Sequence, residues 1–333
     1  MVLTMLIIVV VLAIAFEYIN GFHDTANAIA TVVSTNVLSP RKAIVFAAVL
    51  NFVGALSGTH VAKTIGSGMV NTEIVTQGII ICALFGAIIW NLITWYFGIP
   101  SSSSHALIGG LMGASIAKAH IEAINVSGVM EKVVIPMFVS PFLGFAFGFL
   151  FMLALLWLFH RAPSDTVNRT FRRGQLISSA FMAFSHGSND AQKTMGIITL
   201  ALFSYGAIPT LDVPMPVVLV CALVMCLGTA GGGWRIIHTM GSKVIKLKPI
   251  HGFAAETSAA AVIFGASHFG IPISTTHVIS TSIMGVGSTQ RFSAMKWGIV
   301  GTIIQAWVFT IPICMLISWS AFRIMTLLGV PGL

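Results

Sequence analysis

The sequence predicts an all-α polytopic membrane protein made of two inverted-topology repeats, with broken helices and re-entrant hairpins as its local irregularities. Three observations carry that expectation. The 333-residue chain is 56% hydrophobic and only 8% charged, where a soluble chain is about 25% charged. Apolar stretches long enough for a spanning helix, about 18–25 residues, recur along its whole length. Two polar segments that interrupt this apolar sequence occur twice and in the same order. Asn20-Gly21-Phe22-His23-Asp24-Thr25-Ala26-Asn27 returns loosely as His186-Gly187-Ser188-Asn189-Asp190-Ala191-Gln192-Lys193. Gly98-Ile99-Pro100-Ser101-Ser102-Ser103-Ser104-His105 returns as Gly270-Ile271-Pro272-Ile273-Ser274-Thr275-Thr276-His277.

Residues 1–35 read as a first, broken crossing, because a basic n-region and a small-residue cleavage site are both missing. Segments 43–65 and 133–159 read as further crossings. Between them, 74–97 and 98–118 form either two crossings or one re-entrant hairpin. The second half repeats the order with 174–205, 214–235, the pair 252–269 and 270–290, and 295–322. Either treatment of the middle pair leaves an odd number of crossings per half, so a tandem copy must be inverted. The expected organisation is one membrane repeat over 1–160, a cytoplasmic linker over 161–173 and an inverted repeat over 174–333.

The net charge of +8 sits mainly in short connections. Arg161, Arg169, Arg172 and Arg173 flank one, and Arg235, Lys243, Lys246 and Lys248 flank another. The positive-inside rule makes both cytoplasmic. Arg41, Lys42, Arg291 and Lys296 then fall inside, both termini fall outside the cytoplasm, and Lys118 and Lys132 are exceptions. These basic loops suit anionic lipid headgroups. Nucleic acid is excluded, because no basic face is interleaved with exposed aromatics. Cys82, Cys221, Cys226 and Cys314 lie in apolar segments without metal spacing and read as small buried hydrophobes.

The first motif is a polar stripe. Glu17, Asn20, Asp24, Asn27, Thr31 and Ser34 are three or four residues apart and share one helix face. A carboxylate at the bilayer centre costs about 2.5–3.5 kcal/mol, so a bound cation, a proton or a salt bridge must offset it. Lys193 stands where the first copy has Asn27, three residues after Asp190. It either neutralises Asp190, replaces one ion site by a fixed charge, or helps hold an anion. A cation about 4 Å from it would be repelled by roughly 4 kcal/mol at an effective dielectric of 20. The cation- or proton-coupling candidates are therefore Asp24, Asn27, Asn189, Asp190 and His23. Glu17 and Glu256 join them as buried acids without counterparts, since positions 183 and 84 are Ala and Leu. Asp24 and Asn27, with carbonyls freed by Gly21, are the candidate sodium ligands.

The second motif is a helix start. Gly-Ile-Pro stops the preceding helix, and the hydroxyl run after it supplies N-caps. Free N–H groups and the positive end of the dipole make each start an anion site. Two starts in inverted halves converge and clasp one tetrahedral oxyanion. Ser102, Ser103, Ser104, Ser274, Thr275 and Thr276, with Gln192 and Lys193, form the candidate anion set. Duplicated polar breaks at membrane depth point to a transporter's binding site. A hydrolase is disfavoured, because neighbouring Ser and His on one helix start cannot form a nucleophile–base pair. A passive anion channel needs no buried aspartates.

These motifs resemble the inorganic phosphate transporter (PiT) family, whose signature reads Gly-Ala-Asn-Asp-Val-Ala-Asn-Ala. Gly21, Asp24, Asn27 and Ala28 match in the first copy, and Gly187, Asn189 and Asp190 in the second. His23, Gln192 and Lys193 depart from it. With Trp90-Asn91-Leu92-Ile93-Thr94-Trp95-Tyr96-Phe97-Gly98, the chain is similar to the bacterial low-affinity branch. The resemblance implies a symporter, not an enzyme, that imports inorganic phosphate through the plasma membrane as a homodimer. Some relatives are coupled to protons, others to sodium, one carries sulfate, and some carry phosphate as a neutral divalent-metal complex. The departures at His23, Gln192 and Lys193 favour protons over two symmetric sodium sites. No cofactor beyond the coupling ion is expected.

Overall fold

The computed structural model describes residues 2–290 and 295–330. Arg291 and both chain ends, which the sequence assigned to sides of the membrane, lie outside the described residues. The first half contains α1 (Val2–Ser34), α2 (Pro40–Ala55), α3 (His60–Ser67), α4 (Gln77–Phe97), α5 (Ser103–Ala119), the short α6 (Val126–Val129) and α7 (Ile135–Leu158). The second contains α8 (Ser164–Tyr205), α9 (Met215–Gly231), α10 (Trp234–His238), α11 (Pro249–His268), α12 (Thr275–Ser288) and α13 (Trp297–Leu327). Among the described residues there is no strand, only an isolated bridge between Val70 and Ile124.

Among the described residues, four helical runs are long and apolar enough to cross a bilayer: Leu3–Ser34, Gln77–Phe97, Val126–Leu158 and Trp297–Leu327. The bent pairs α2–α3 (71°) and α9–α10 (63°) raise the number to six if each is one span. Two expectations change. The first crossing is not broken, because α1 runs through Gly21 as one helix. Gly21 is held within the helix by close packing against the backbone of α9 at Gly228 and Thr229. Residues 164–173 of the expected linker are already the first turns of α8.

Exchanging the halves maps the helix packing onto itself. α2 packs on α8 as α9 packs on α1, α5 on α13 as α12 on α7, and α4 on α5 as α11 on α12. α1 and α8 pack on each other. Their side chains meet in reversed order: Thr194 with Glu17, and Gln175 with Thr35. The two helices therefore run antiparallel.

The hairpins follow the same reversal. Asn71 N donates to Ala123 O (3.0 Å) and Gln77 Nε2 to Ala201 O (2.8 Å), so α4–α5 opens toward one end of the molecule. Gln290 Nε2 lies 2.9 Å from the His251 ring, so α11–α12 opens toward the other. That second end also gathers basic connections: Arg172 donates to Asn36 O (2.8 Å), and Lys296 N to Val244 O (3.2 Å).

Gly98 and Gly270 turn the hairpins with φ of 67° and 66°, a conformation in which a side chain is strained. Each turn is hooked to the short helix of a bent pair. Thr239 Oγ1 donates to Gly98 O (2.9 Å) and Thr64 Oγ1 to Gly270 O (2.7 Å).

The hydrophobic core is split. Leu6, Val9, Ala13 and Phe16 of α1 join Met195, Ile197 and Leu200 of α8 in one cluster. Ala26, Ile29 and Val32 join Met182 and Ala183 in another. The polar segments lie between them. Small residues let the backbones approach there, as is usual between membrane helices. A Cβ on Gly187 would strike the Asn51 backbone, whereas one on Gly265 would meet nothing within 4 Å. We expect Gly187→Ala to destabilise the protein by about 1–3 kcal/mol through overpacking, and Gly265→Ala to be neutral or slightly stabilising. Thermal unfolding in detergent checks this, and equal melting temperatures for the two variants would contradict it.

Candidate functional site

The site forms where the two hairpin tips meet the α1–α8 seam. Ser102 and Ser274 adopt extended backbone and cap the next helices, accepting from His105 N and His277 N, each at 3.2 Å. The starts of α5 and α12 face each other. Ser104 Oγ donates to Ile273 O (3.3 Å), and the His105 and His277 rings pack edge to face with centroids 4.8 Å apart. His277 also stacks on Trp307 at 4.1 Å, and Trp307 Nε1 donates to Pro100 O (3.1 Å). The expected convergence of two positive helix ends is therefore present.

The seam supplies the charge. Oxygen or nitrogen atoms of Asp24, His186 and Asp190 all lie within 4.8 Å of one another. His23 Nδ1 pairs with Asp24 Oδ1 (2.6 Å), and its Nε2 lies 3.0 Å from Thr94 Oγ1. Lys193 Nζ donates to Asp190 Oδ1 and to Ser104 Oγ. Thr275 Oγ1 donates to Asp190 Oδ2 (3.1 Å), and His186 Nε2 lies 3.2 Å from the same oxygen. Asn27 Nδ2 donates to Thr276 Oγ1 (2.9 Å) and Thr275 Oγ1 (3.2 Å). Every one of these side chains is buried. Ser103 Oγ, His105 Nδ1 and both His277 ring nitrogens are buried without a hydrogen-bond partner. Of these, Ser103 Oγ sits on the first turn of α5, beside the Lys193–Ser104 contact.

The predicted residues divide into three groups. Asp24, Asn27, Asp190, Lys193, His23, Ser104 and Thr275–Thr276 come together, with Ser102, Ser103 and Ser274 on the same helix starts. Asn189 points elsewhere, with its Nδ2 on Ser267 Oγ (2.8 Å). Gln192 is a correction to the anion set. Its Oε1 accepts from Val61 N (2.8 Å) and its Nε2 donates to Ser188 O (2.6 Å), so it caps α3 rather than a substrate helix start. The carbonyl ligands expected from Gly21 are absent too, because the unbroken helix uses them.

Glu17 and Glu256 flank the cluster. Glu17, two turns or about 10 Å along α1 from Asp24, accepts from Thr194 Oγ1. Glu256 accepts from Thr31 Oγ1, from Gln175 Nε2 (3.0 Å) and from Ser178 Oγ. Sequence reasoning missed Thr194, Gln175 and Ser178, which sit on α8 with nothing local to link them to those acids. It also left His186 out of the coupling set, although an imidazole four residues before Asp190 shares its helix face.

The chain is similar to known proteins over nearly its whole length. Residues 20–318 match the model described as the phosphate transporter family. A Rhizobium meliloti protein named "Probable low-affinity inorganic phosphate transporter" is 49% identical over 94% of this chain and 94% of its own length. A Bacillus subtilis protein of the same name is 46% identical over 98% of both chains. A solved structure titled "The sodium-dependent phosphate transporter" superimposes with a TM-score of 0.89 at 26% identity, covering 97% of this chain and 99% of that one. These relatives are transporters and not enzymes. With its paired motifs, split core and converging helix starts, the chain belongs to the phosphate transporter family.

Proposed function

We propose that this protein is a secondary active symporter that imports inorganic phosphate across the plasma membrane, coupled to protons. The observation that carries the reading is the meeting of two capped helix starts over a buried Asp–Asp–His–Lys cluster. The N–H groups of α5 and α12, the free Ser103 hydroxyl and the Lys193 ammonium supply donors to a tetrahedral anion. Asp24 takes the accompanying positive charge, and the His23 ring beside it exchanges protons with it. Residues 1–160 and 174–333 act as inverted repeats around this site. Their basic end faces the cytoplasm by the positive-inside rule, which puts both termini outside.

Sodium coupling is the second reading, favoured by the superimposable sodium-dependent phosphate transporter. Asp24, and not the Gly21 carbonyls, would then be its anchor. Entry of phosphate as a neutral complex with a divalent cation belongs to the same proposal, with Asp24 and His186 as donors and Asp190 already held by Lys193. Assembly as a homodimer belongs to the same proposal.

Uptake of labelled phosphate into proteoliposomes, with proton and sodium gradients imposed separately, tests the reading. We expect accumulation under a proton gradient alone. Accumulation with sodium alone, unaffected by a proton ionophore at clamped voltage, would favour the second reading.

Ser103→Ala should weaken phosphate binding by about 1.5–3 kcal/mol, the worth of a hydrogen bond to a charged group, and Thr275→Ala should weaken it by freeing the Asp190 oxygen that Thr275 now holds. Calorimetry with phosphate measures this, and unchanged affinity in the double variant would remove the site.

Asp24→Asn should abolish gradient-driven uptake while leaving the protein folded, since Asn keeps the size but loses the charge. Asp190→Asn should abolish uptake and also lower thermal stability. It leaves Lys193 as an unpaired buried cation, and breaking such a pair costs about 3–5 kcal/mol. Concentrative uptake at the wild-type rate in Asp24→Asn would show that residue to be structural.

A further inference from the structure

Asn27 and Lys193 occupy equivalent positions of the duplicated motif, and the structure gives them equivalent reach. Asn27 Nδ2 donates to Thr276 on the second helix start. Lys193 Nζ donates to Ser104 on the first. Ser104 and Thr276 are themselves equivalent, each one residue before the motif histidine. One copy therefore presents a neutral amide to the site and the other presents an ammonium.

That ammonium is 2% exposed and shares Asp190 with two other groups. It holds Oδ1, while Thr275 and His186 meet Oδ2. Among the described residues Asp24 pairs with no lysine or arginine, only with the ring of His23. With neutral histidines, Asp24, Asp190 and Lys193 leave the cluster one negative charge. A single proton or monovalent cation at Asp24 cancels it. A second cation at Asp190 would sit against the ammonium and be repelled.

We propose that Lys193 is a built-in counter-cation, filling in the second copy the place a transported cation would otherwise take. The chain then moves one fewer cation per phosphate than a site with asparagine in both copies. The inference rests on the phosphate-carrier reading and adds the stoichiometry of its site. The competing account is that Lys193 merely neutralises Asp190 and has no bearing on the ion count.

The test compares wild type, Lys193→Asn and Lys193→Met, purified and reconstituted in liposomes. The readouts are the order of phosphate uptake in the driving cation and the voltage at which net flux vanishes. Wild type should be first order in the cation. Lys193→Asn should lose affinity for inorganic phosphate in choline chloride by about 10- to 100-fold, the loss of one charge-assisted hydrogen bond. It should regain that affinity in sodium chloride, with one more charge moved per phosphate. Lys193→Met, which has no oxygen ligand to offer, should lose affinity without regaining it.

An unchanged charge-to-phosphate ratio in Lys193→Asn overturns the proposal, as does equal rescue of the asparagine and methionine variants. If neither variant inserts, second-order dependence in wild type alone overturns it, and first-order dependence supports it. Absence of phosphate uptake by wild type sinks the carrier reading, and this inference with it. The other contrary outcomes sink only the inference.

Discussion

Two carboxylates buried near each other in an apolar molecule constrain everything else in this structure. Asp24 and Asp190 lie with His186 in one cluster, each almost fully buried. Like charges so close in low dielectric repel strongly unless positive groups are supplied. The chain supplies them in three forms. Lys193 provides a full charge, the imidazoles of His23 and His186 provide polarisable partners, and the starts of α5 and α12 provide partial charges from backbone dipoles. The division of the core into two apolar clusters follows from the same demand. The polar layer must sit where both hairpins, α1 and α8 reach it, so hydrophobic packing is confined to either side.

Much of this arrangement can be read along the sequence, and the part that can is local. A cap is decided within four residues, so Ser102 and Ser274 were identifiable before their hydrogen bonds were seen. The Asp190–Lys193 pair follows from helical spacing. Duplication supplied the long-range step, because two copies of one polar motif in apolar sequence point to a shared site, and α1 and α8 do meet antiparallel there. Interactions between unrelated segments were not legible. Glu256 finds Ser178 and Gln175 about eighty residues away, and neither partner stands out in its own neighbourhood. Gln192 looked like part of the anion set because of its place in the motif. Its carbonyl oxygen is taken by the start of α3, an element whose position depends on a 71° bend.

The unbroken α1 shows a related limit. A glycine in a polar run suggests a break on propensity alone. Here Gly21 serves packing instead, letting α1 and α9 touch at Gly228. Gly187 does the same between α8 and α2 at Asn51. Tertiary contact, which a single segment cannot reveal, decided that these glycines stay helical.

The threonine hooks at the hairpin turns have a mechanical meaning. Each hairpin carries a helix start toward the centre from its own end of the molecule. Its turn is tied by one hydrogen bond to the short helix of a bent pair in the opposite half, Thr239 to Gly98 and Thr64 to Gly270. A tip that withdraws must either break that tie or drag the short helix with it. The short helices are joined to their longer partners only through the bends of 71° and 63° in α2–α3 and α9–α10. Each half thus holds the other's tip, and these side-chain ties act alongside the bonds that join the same tips to the charged cluster at Lys193, Asp190 and Asn27.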